Sequence, residues 1–78
     1  MYFAKRLDIA FPSLEDKEAF DNWFYQQEFS SVDDMIEKVP SFIEGNGMMA
    51  LLDEEDYIKS VYKEYFGESW YEEYSRRN

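Results

Sequence analysis

Residues able to do chemistry are concentrated between Asp53 and Tyr74, where eight carboxylates are interleaved with seven aromatic side chains. A pair of carboxylates can act as general acid and general base in hydrolysis, and composition alone leaves that role open. Nothing singles out two of them, however, and the sequence has no histidine and no cysteine, which removes the common general bases, nucleophiles and soft metal ligands. The four acids Asp53 to Asp56 would point in different directions on a helix, and no calcium-loop pattern is present. We therefore expect a non-enzymatic protein with no cofactor and no metal.

The element that positions these carboxylates is a predicted helix over residues 54 to 66. Asp53 has the short acceptor side chain typical of an N-cap, and acids in the first turn suit the positive end of the helix dipole. Apolar side chains recur at one- and four-residue steps, the period of one helix face, and Gly67 follows as a helix-ending residue. We expect this apolar face to lie in the core; it comprises Tyr57, Ile58, Val61, Tyr62, Tyr65 and Phe66.

The chain around Gly67 allows two interpretations. Ser69 could cap a last short helix, with Glu72 completing a capping box. If the helix runs through Gly67 instead, Glu64, Glu68 and Glu72 would stack on one face in steps of roughly 6 Å. That is close to the phosphate spacing along a nucleic-acid strand, roughly 6 to 7 Å. Any helix with acids four residues apart gives this spacing, so a solvated charged face is the simpler interpretation.

The first part of the chain predicts a strand followed by a helix. Alternating apolar and polar side chains from Tyr2 to Phe11 indicate a half-buried strand, which must pair with a second strand here or in another copy of the chain. Ser13 then opens a helix that runs to about Gln27. Tyr25 falls at the edge of its apolar face; a partly exposed core-edge tyrosine is the more common case, and an interface residue is the alternative.

The middle of the chain predicts a second helix, which begins at Ser30 or Ser31. Pro40 should end or kink it, because an internal proline loses a hydrogen bond and clashes, or could begin a further short turn. After a turn at residues 45–47, residues 48–52 are either a buried strand or a buried turn of helix; the unpaired first strand favours a strand. The predicted fold class is α+β, mostly helical, with three to four helices and an N-terminal strand in a small two- or three-stranded sheet.

Length and charge limit the classes of partner that the protein can bind. The 78 residues form one predicted domain, 1–78, with a formal net charge of −10. This charge opposes direct binding to nucleic acid or to an anionic membrane and favours a basic partner. The sequence has no membrane-spanning apolar run, no signal-peptide core and no cysteine for disulfides, so we expect a soluble, cytoplasmic protein.

Two binding functions fit this composition. The first is an acidic inhibitor whose carboxylates imitate nucleic-acid phosphates and occupy the basic groove of a nucleic-acid-processing enzyme, with fast and steeply salt-dependent association. The second is a small protein–protein interaction module or regulatory subunit that binds through exposed aromatic side chains, with the acids serving solubility. A homodimer would lengthen an acidic band, and the strand edge near Phe3 allows one. The residues expected at the partner surface are Asp53, Glu54, Glu55, Asp56, Glu64, Glu68, Glu72, Glu73, Trp70, Tyr71 and Tyr74.

Three segments carry a resemblance to a known family: F-S-S-V-D-D-M at residues 29–35, V-P-S-F at 39–42 and L-D-E-E-D-Y at 52–57. They resemble the C-terminal part of ArdA-type antirestriction proteins, which have a phenylalanine-serine-serine helix start, an isoleucine-proline turn and a helix that begins with an aspartate and a tyrosine-flanked acid. The resemblance covers residues 29–66. It implies a phage or mobile-element protein that mimics B-form DNA and blocks a restriction enzyme. Small acidic anti-CRISPR proteins are similar in size and charge, and would apply the same logic to another target.

Overall fold

A computed structural model describes residues 1–77, which form four α-helices and one small sheet. The elements are β1 (Tyr2–Phe3), β2 (Ala10–Phe11), α1 (Leu14–Tyr25), α2 (Val32–Gly45), α3 (Glu54–Phe66), a 3₁₀ turn (Gly67–Ser69) and α4 (Trp70–Arg77). The predicted α+β class is confirmed: the fold is mostly helical, with a small antiparallel sheet at the N-terminus.

The N-terminal segment is a hairpin, so the prediction of one strand from Tyr2 to Phe11 is wrong. β1 and β2 pair antiparallel, with Tyr2 opposite Phe11 and Phe3 opposite Ala10. The two ends of the predicted strand therefore pair with each other, and the segment finds its partner within itself.

Side chains from distant helices stabilise the bend between β1 and β2. The backbone N–H of Lys5 donates to Asp21 Oδ1 at 2.9 Å. The N–H of Asp8 donates to Ser60 Oγ at 3.1 Å. These bonds satisfy groups that a continuous strand would have left to a sheet partner. The bend also brings three apolar side chains into the core, those of Ala4, Leu7 and Ile9.

The segment at residues 48–52 pairs with the sheet at one position only. Ala10 and Leu51 form an isolated antiparallel bridge, in which each N–H donates to the other carbonyl, at 2.9 and 2.7 Å. The predicted pairing with the N-terminal segment is thus present at Leu51, but residues 48–50 form no strand. β2 lies in the middle, with β1 on one side and Leu51 on the other.

The predicted capping residues begin the first two helices. Ser13 Oγ accepts from the N–H of Asp16 at 3.3 Å at the start of α1. Ser31, and not Ser30, caps α2, where its Oγ accepts from the N–H of Asp34 at 3.0 Å. Each side chain satisfies an N–H group that has no partner within its helix.

Pro40 lies inside α2, which continues to Gly45, so the interpretations in which Pro40 ends the helix or begins a separate turn are wrong. Because proline has no N–H, the carbonyl of Ile36, four residues earlier, receives no helical hydrogen bond. Tyr57 Oη from α3 donates to this carbonyl at 2.9 Å. The tyrosine replaces the missing donor and joins α3 to α2.

The core lies between the sheet and helices α1, α2 and α3. At one side of it, the rings of Trp23 and Phe42 stack with their centroids 4.1 Å apart. The apolar face of α3 is narrower than predicted: Tyr65 is exposed and Phe66 is only partly buried. Tyr65 lines an open cleft together with Tyr25 instead of being enclosed. The fully buried side chains are Ile9, Phe11, Phe20, Val39 and Val61.

Candidate functional site

The first turn of α3 presents the predicted carboxylates at the surface. We call Asp53 to Asp56 the acidic turn; all four residues are exposed. Asp53 is the N-cap, and its Oδ1 accepts from the N–H of Asp56 at 3.2 Å. Glu55 forms an ion pair with Lys59 at 3.3 Å. The other three side chains have no cationic partner among residues 1–77 and are free to meet one from another protein.

Helix α4 folds back against α3, which places Tyr74 near the acidic turn. Gly67 makes the reversal possible with φ 64° and ψ −130°, a conformation that is strained for other residues. Lys63 Nζ lies 4.9 Å from the ring centroid of Trp70. One turn further along, Lys59 Nζ lies 5.8 Å from the ring centroid of Tyr74. Tyr74 thereby lines an open groove together with Asp53, Glu54, Glu55, Ile58 and Arg77.

The ladder of acids predicted for a continuous helix does not form. Gly67 ends α3, so Glu64, Glu68 and Glu72 lie on α3, the 3₁₀ turn and α4 in turn. Glu64 is also partly buried and forms an ion pair with Arg6 at 3.1 Å. The prediction that these three carboxylates lie on one helix face with a phosphate-like spacing is therefore wrong.

The other interpretation is correct in part: a separate last helix, α4, begins directly after Ser69, but the predicted capping box does not form. Ser69 Oγ donates to the carbonyl of Phe66 at 3.2 Å. Its hydroxyl therefore binds back to the end of α3 and does not cap α4. The 3₁₀ turn leads directly into α4, so no separate N-cap is needed there.

The predicted aromatic residues of α4 have different environments. Trp70 and Tyr74 are partly buried against α3, and the Tyr74 ring meets that of Tyr62 edge-on, with centroids 5.7 Å apart. Tyr71 is 65% exposed. Glu73 forms an ion pair with Arg76 at 2.9 Å. Of the three predicted aromatic contacts, Tyr71 is the one most open to a partner.

Carboxylates greatly outnumber free cations over the whole surface. Six of the eight cationic side chains form ion pairs, each with a different carboxylate. Six paired carboxylates out of eighteen leave twelve without a cationic partner among residues 1–77. Acids occupy the first turn of every α-helix. Because α3 and α4 run antiparallel, the acids in their first turns lie at opposite ends of this helix pair. The negative charge is thus spread over several faces.

Local hydrogen bonds shift the titration of several groups. The backbone N–H of Ser30 stabilises the ionised form of Asp34 and lowers the pKa of that carboxyl, and Lys38 at 3.2 Å acts in the same direction. The hydrogen bond to Glu55 raises the pKa of Lys59. Burial raises the pKa of the Tyr57 phenol, so Tyr57 stays a neutral donor to α2. None of these shifts produces a group suited to proton transfer near neutral pH.

The structure also shows a surface that the sequence did not predict. We call the exposed large side chains beside the sheet the apolar face; its members are Met1, Phe3, Met49, Leu51 and Leu52. The sequence signal was present, because residues 48–52 are a continuous apolar run. The predicted burial of that run is correct only in part: Met48 and Ala50 pack against the core, whereas Met49, Leu51 and Leu52 are exposed. Apolar composition does not distinguish a buried segment from an exposed docking surface.

Tyr25 is a further exposed aromatic residue. The sequence favoured a core-edge position for it, but it is 78% exposed. It lies between two open clefts, one shared with Tyr65 and the other with Lys5 and Asp21, and Arg6 lines both. The alternative interpretation, an interface residue, stays a prediction.

Comparisons with protein families, with curated proteins and with solved structures give no significant match. Within residues 1–77, no helix combines the length and apolar character needed to cross a membrane. The same residues contain no group of three or more acidic side chains arranged to hold a metal ion. Functional inference therefore depends on the surface itself.

Proposed function

We propose that the protein is a non-enzymatic acidic inhibitor that binds the basic, nucleic-acid-binding surface of a partner protein in the cytoplasm and competes with nucleic acid there. Its partner class is that expected from the sequence, a nucleic-acid-processing enzyme of a host defence system such as restriction or CRISPR. The protein itself contacts neither nucleic acid nor membrane, because both would meet net repulsion.

The observation that carries this proposal is the density of unpaired negative charge. The molecule measures 35 × 23 × 19 Å between its outermost Cα atoms. Duplex DNA carries one charge per about 1.7 Å of its axis, or about 20 charges over the same length. Twelve unpaired carboxylates give more than half that density. A groove lined with lysine and arginine side chains for DNA would therefore meet a comparable negative surface.

The acidic turn is the first contact to test, because three of its four carboxylates have no cationic partner. A triple variant with Asp53→Asn, Glu54→Gln and Asp56→Asn removes these three charges. Asparagine caps a helix as well as aspartate does, so α3 should keep its start. The matched control removes three unpaired charges from the start of α1 through Glu15→Gln, Asp16→Asn and Glu18→Gln. Both variants have the same net charge, so a difference between them reports location and not total charge.

The experiment uses immobilised protein to isolate a partner and then measures its release by a short DNA duplex. The proposal predicts that the duplex displaces the partner and that the α3 variant binds the partner more weakly than the α1 variant. It also predicts that affinity for the partner falls steeply between 50 and 200 mM salt; DNA-binding proteins with many phosphate contacts lose about 10³-fold or more in affinity over this range. A partner that is indifferent to DNA and salt would contradict it.

A second candidate function is an interaction module or regulatory subunit unrelated to nucleic acid. The observation that favours it is the spread of acids over several faces, around exposed aromatic residues such as Tyr25 and Tyr71. Under this function, Tyr25→Ser or Tyr71→Ser would weaken partner binding more than loss of the acidic turn. Displacement by DNA would be absent.

A further inference from the structure

The outer side of the small sheet is apolar and has no layer over it. Phe3, Ala10 and Leu51 occupy neighbouring positions on three adjacent chain segments, so their side chains point to the same side of the sheet. Phe11, the next residue along β2, points to the opposite side and is fully buried in the core. On the outer side, Phe3 is 64% and Leu51 62% exposed, whereas the small Ala10 between them is buried. One side of the sheet thus forms the core, and the other is left open.

This open side extends along the chain into a larger apolar surface. A mostly apolar depression includes Leu51 and is lined by Met1, Pro12 and residues 48–51. Met49, the most exposed of them, is 73% exposed. Contiguous apolar surfaces are uncommon on small soluble proteins and usually mark contacts with another molecule.

Carboxylates border the apolar face on one flank. A shallow groove has a floor of Phe3, Ala10, Leu51 and Leu52, and its other lining residues are Asp8, Asp53 and Asp56. None of these three aspartates forms an ion pair within residues 1–77, and no cationic side chain lines the groove. A ligand for this groove must therefore combine apolar and positively charged groups.

We infer that the apolar face docks one amphipathic helix of a partner protein, with an apolar stripe bordered by lysine or arginine. Two strand spacings separate Phe3 from Leu51, about 10 Å, which is close to the 10 to 12 Å diameter of one helix. A helix laid on a sheet also completes a common two-layer arrangement. The inference goes beyond the proposed function, because it holds whether or not the partner binds nucleic acid.

The charges of the groove disfavour a second copy of this chain as the occupant. A two-fold contact through the apolar face would present the same groove twice, so the Asp8, Asp53 and Asp56 carboxylates of each copy would meet no cationic side chain from the groove of the other. Each copy also has a net charge of −10, so the pair would gain apolar burial only against strong repulsion. A basic helix gains from both contributions.

The test uses synthetic helical peptides of about 18 residues, roughly 27 Å long, as probes. The first has leucines along one stripe and lysines at its borders. The second has the same composition in an order that gives no stripe, and the third has glutamates in place of the lysines. Amide chemical-shift changes in the labelled protein map each peptide, and titration gives its affinity. The first peptide should shift residues 3, 8, 10 and 49–56, and the other two should bind at least about tenfold more weakly.

Paired substitutions separate apolar docking from charge attraction. Phe3→Ser with Leu51→Ser removes the two exposed side chains of the outer sheet face and should lower affinity for the first peptide about tenfold or more. Tyr25→Ser removes an aromatic side chain that is still more exposed, at 78%, but lies outside the apolar face, and it should leave affinity for the peptide unchanged. Asp8→Asn with Asp56→Asn should weaken binding and make it less dependent on salt. Circular dichroism checks that each variant remains folded.

Two results would overturn the inference. The first is equal binding of the striped and unstriped peptides, with shifts at all the acidic helix starts, because attraction would then depend on charge alone. The second is a dimer in sedimentation that Phe3→Ser abolishes, because a second copy would then be the occupant. Shifts confined to the apolar face, together with loss of binding in the Phe3 and Leu51 variant, support it.

Discussion

Replacing Tyr57 by phenylalanine tests how the acidic turn is held against the rest of the protein. Tyr57 directly follows that turn, and its hydroxyl donates at 2.9 Å to the Ile36 carbonyl, which Pro40 leaves without a helical donor. Tyr57→Phe removes the donor and leaves a partly buried carbonyl unsatisfied, at a cost of about 1 to 3 kcal/mol in unfolding free energy. For a domain of this size, that lowers Tm by roughly 6 to 18 °C.

Tyr57→Phe should lower the free energy of unfolding much less once Pro40 is replaced. In a Pro40→Ala background, the alanine N–H can donate to Ile36, so Tyr57→Phe should lose less than about 1 kcal/mol. Pro40→Ala alone should stabilise the protein, because proline is about 3 kcal/mol less favourable than alanine inside a helix, although greater freedom of the unfolded chain offsets part of this.

The assay is urea unfolding of the four proteins in this double-mutant cycle. Tyr65→Phe serves as the control, since Tyr65 is an exposed tyrosine on the same helix and should change stability by less than about 0.5 kcal/mol. The predicted coupling between Tyr57 and Pro40 is about 1 to 2 kcal/mol. Equal losses for Tyr57→Phe in both backgrounds would refute the idea that this hydroxyl compensates for the proline.

Further predictions concern the α3–α4 reversal and acid stability. Gly67→Ala should destabilise the protein by about 1 to 2 kcal/mol through its positive φ alone, because a new Cβ meets no atom within 4 Å; Gly45→Ala, equally open but without positive φ, should be neutral or slightly stabilising in the same unfolding assay. Because folding lowers the pKa of Asp34, its contribution is present above its ordinary pKa of 3.8 and is lost as pH falls through the lowered value. Wild-type protein should therefore exceed Asp34→Asn in stability at pH 6, and this difference should shrink as pH falls through the lowered pKa; a difference independent of pH would contradict the assignment. Trp70→Ala should speed hydrogen exchange in α4, while Tyr71→Ala should not, since Trp70 packs against Lys63 and Tyr71 is exposed.

Helix starts were predictable because their causes are local. The caps at Ser13, Ser31 and Asp53 each bind an N–H three residues ahead, so a short stretch of sequence contains both partners. The end of α3 at Gly67 was predictable for the same reason. These positions were enough to define the acidic turn and the mostly helical fold.

The hairpin and the apolar face depend on contacts that sequence spacing does not reveal. The bend after β1 uses Asp21 and Ser60, which lie 16 and 52 residues from the backbone groups they bind. Likewise, Gly67 indicated where α3 ends but not that α4 folds back along α3. Because of this reversal, the predicted ladder of acids does not form. In the apolar run at residues 48–52, Met48 and Ala50 pack against the core but Met49, Leu51 and Leu52 are exposed. Composition alone does not reveal this division, because burial depends on which other elements pack against each side chain.

Competition on an isolated partner shows whether the acidic surface of this protein occupies a nucleic-acid-binding site. Fluorescence anisotropy follows a labelled DNA duplex bound to that partner while this protein is added at several salt concentrations. If the acidic surface imitates nucleic acid, the protein should displace the duplex fully, and this displacement should weaken steeply with salt. The Asp53, Glu54 and Asp56 variant should displace less duplex than its α1 control. Simultaneous binding of DNA and protein to the partner would contradict it.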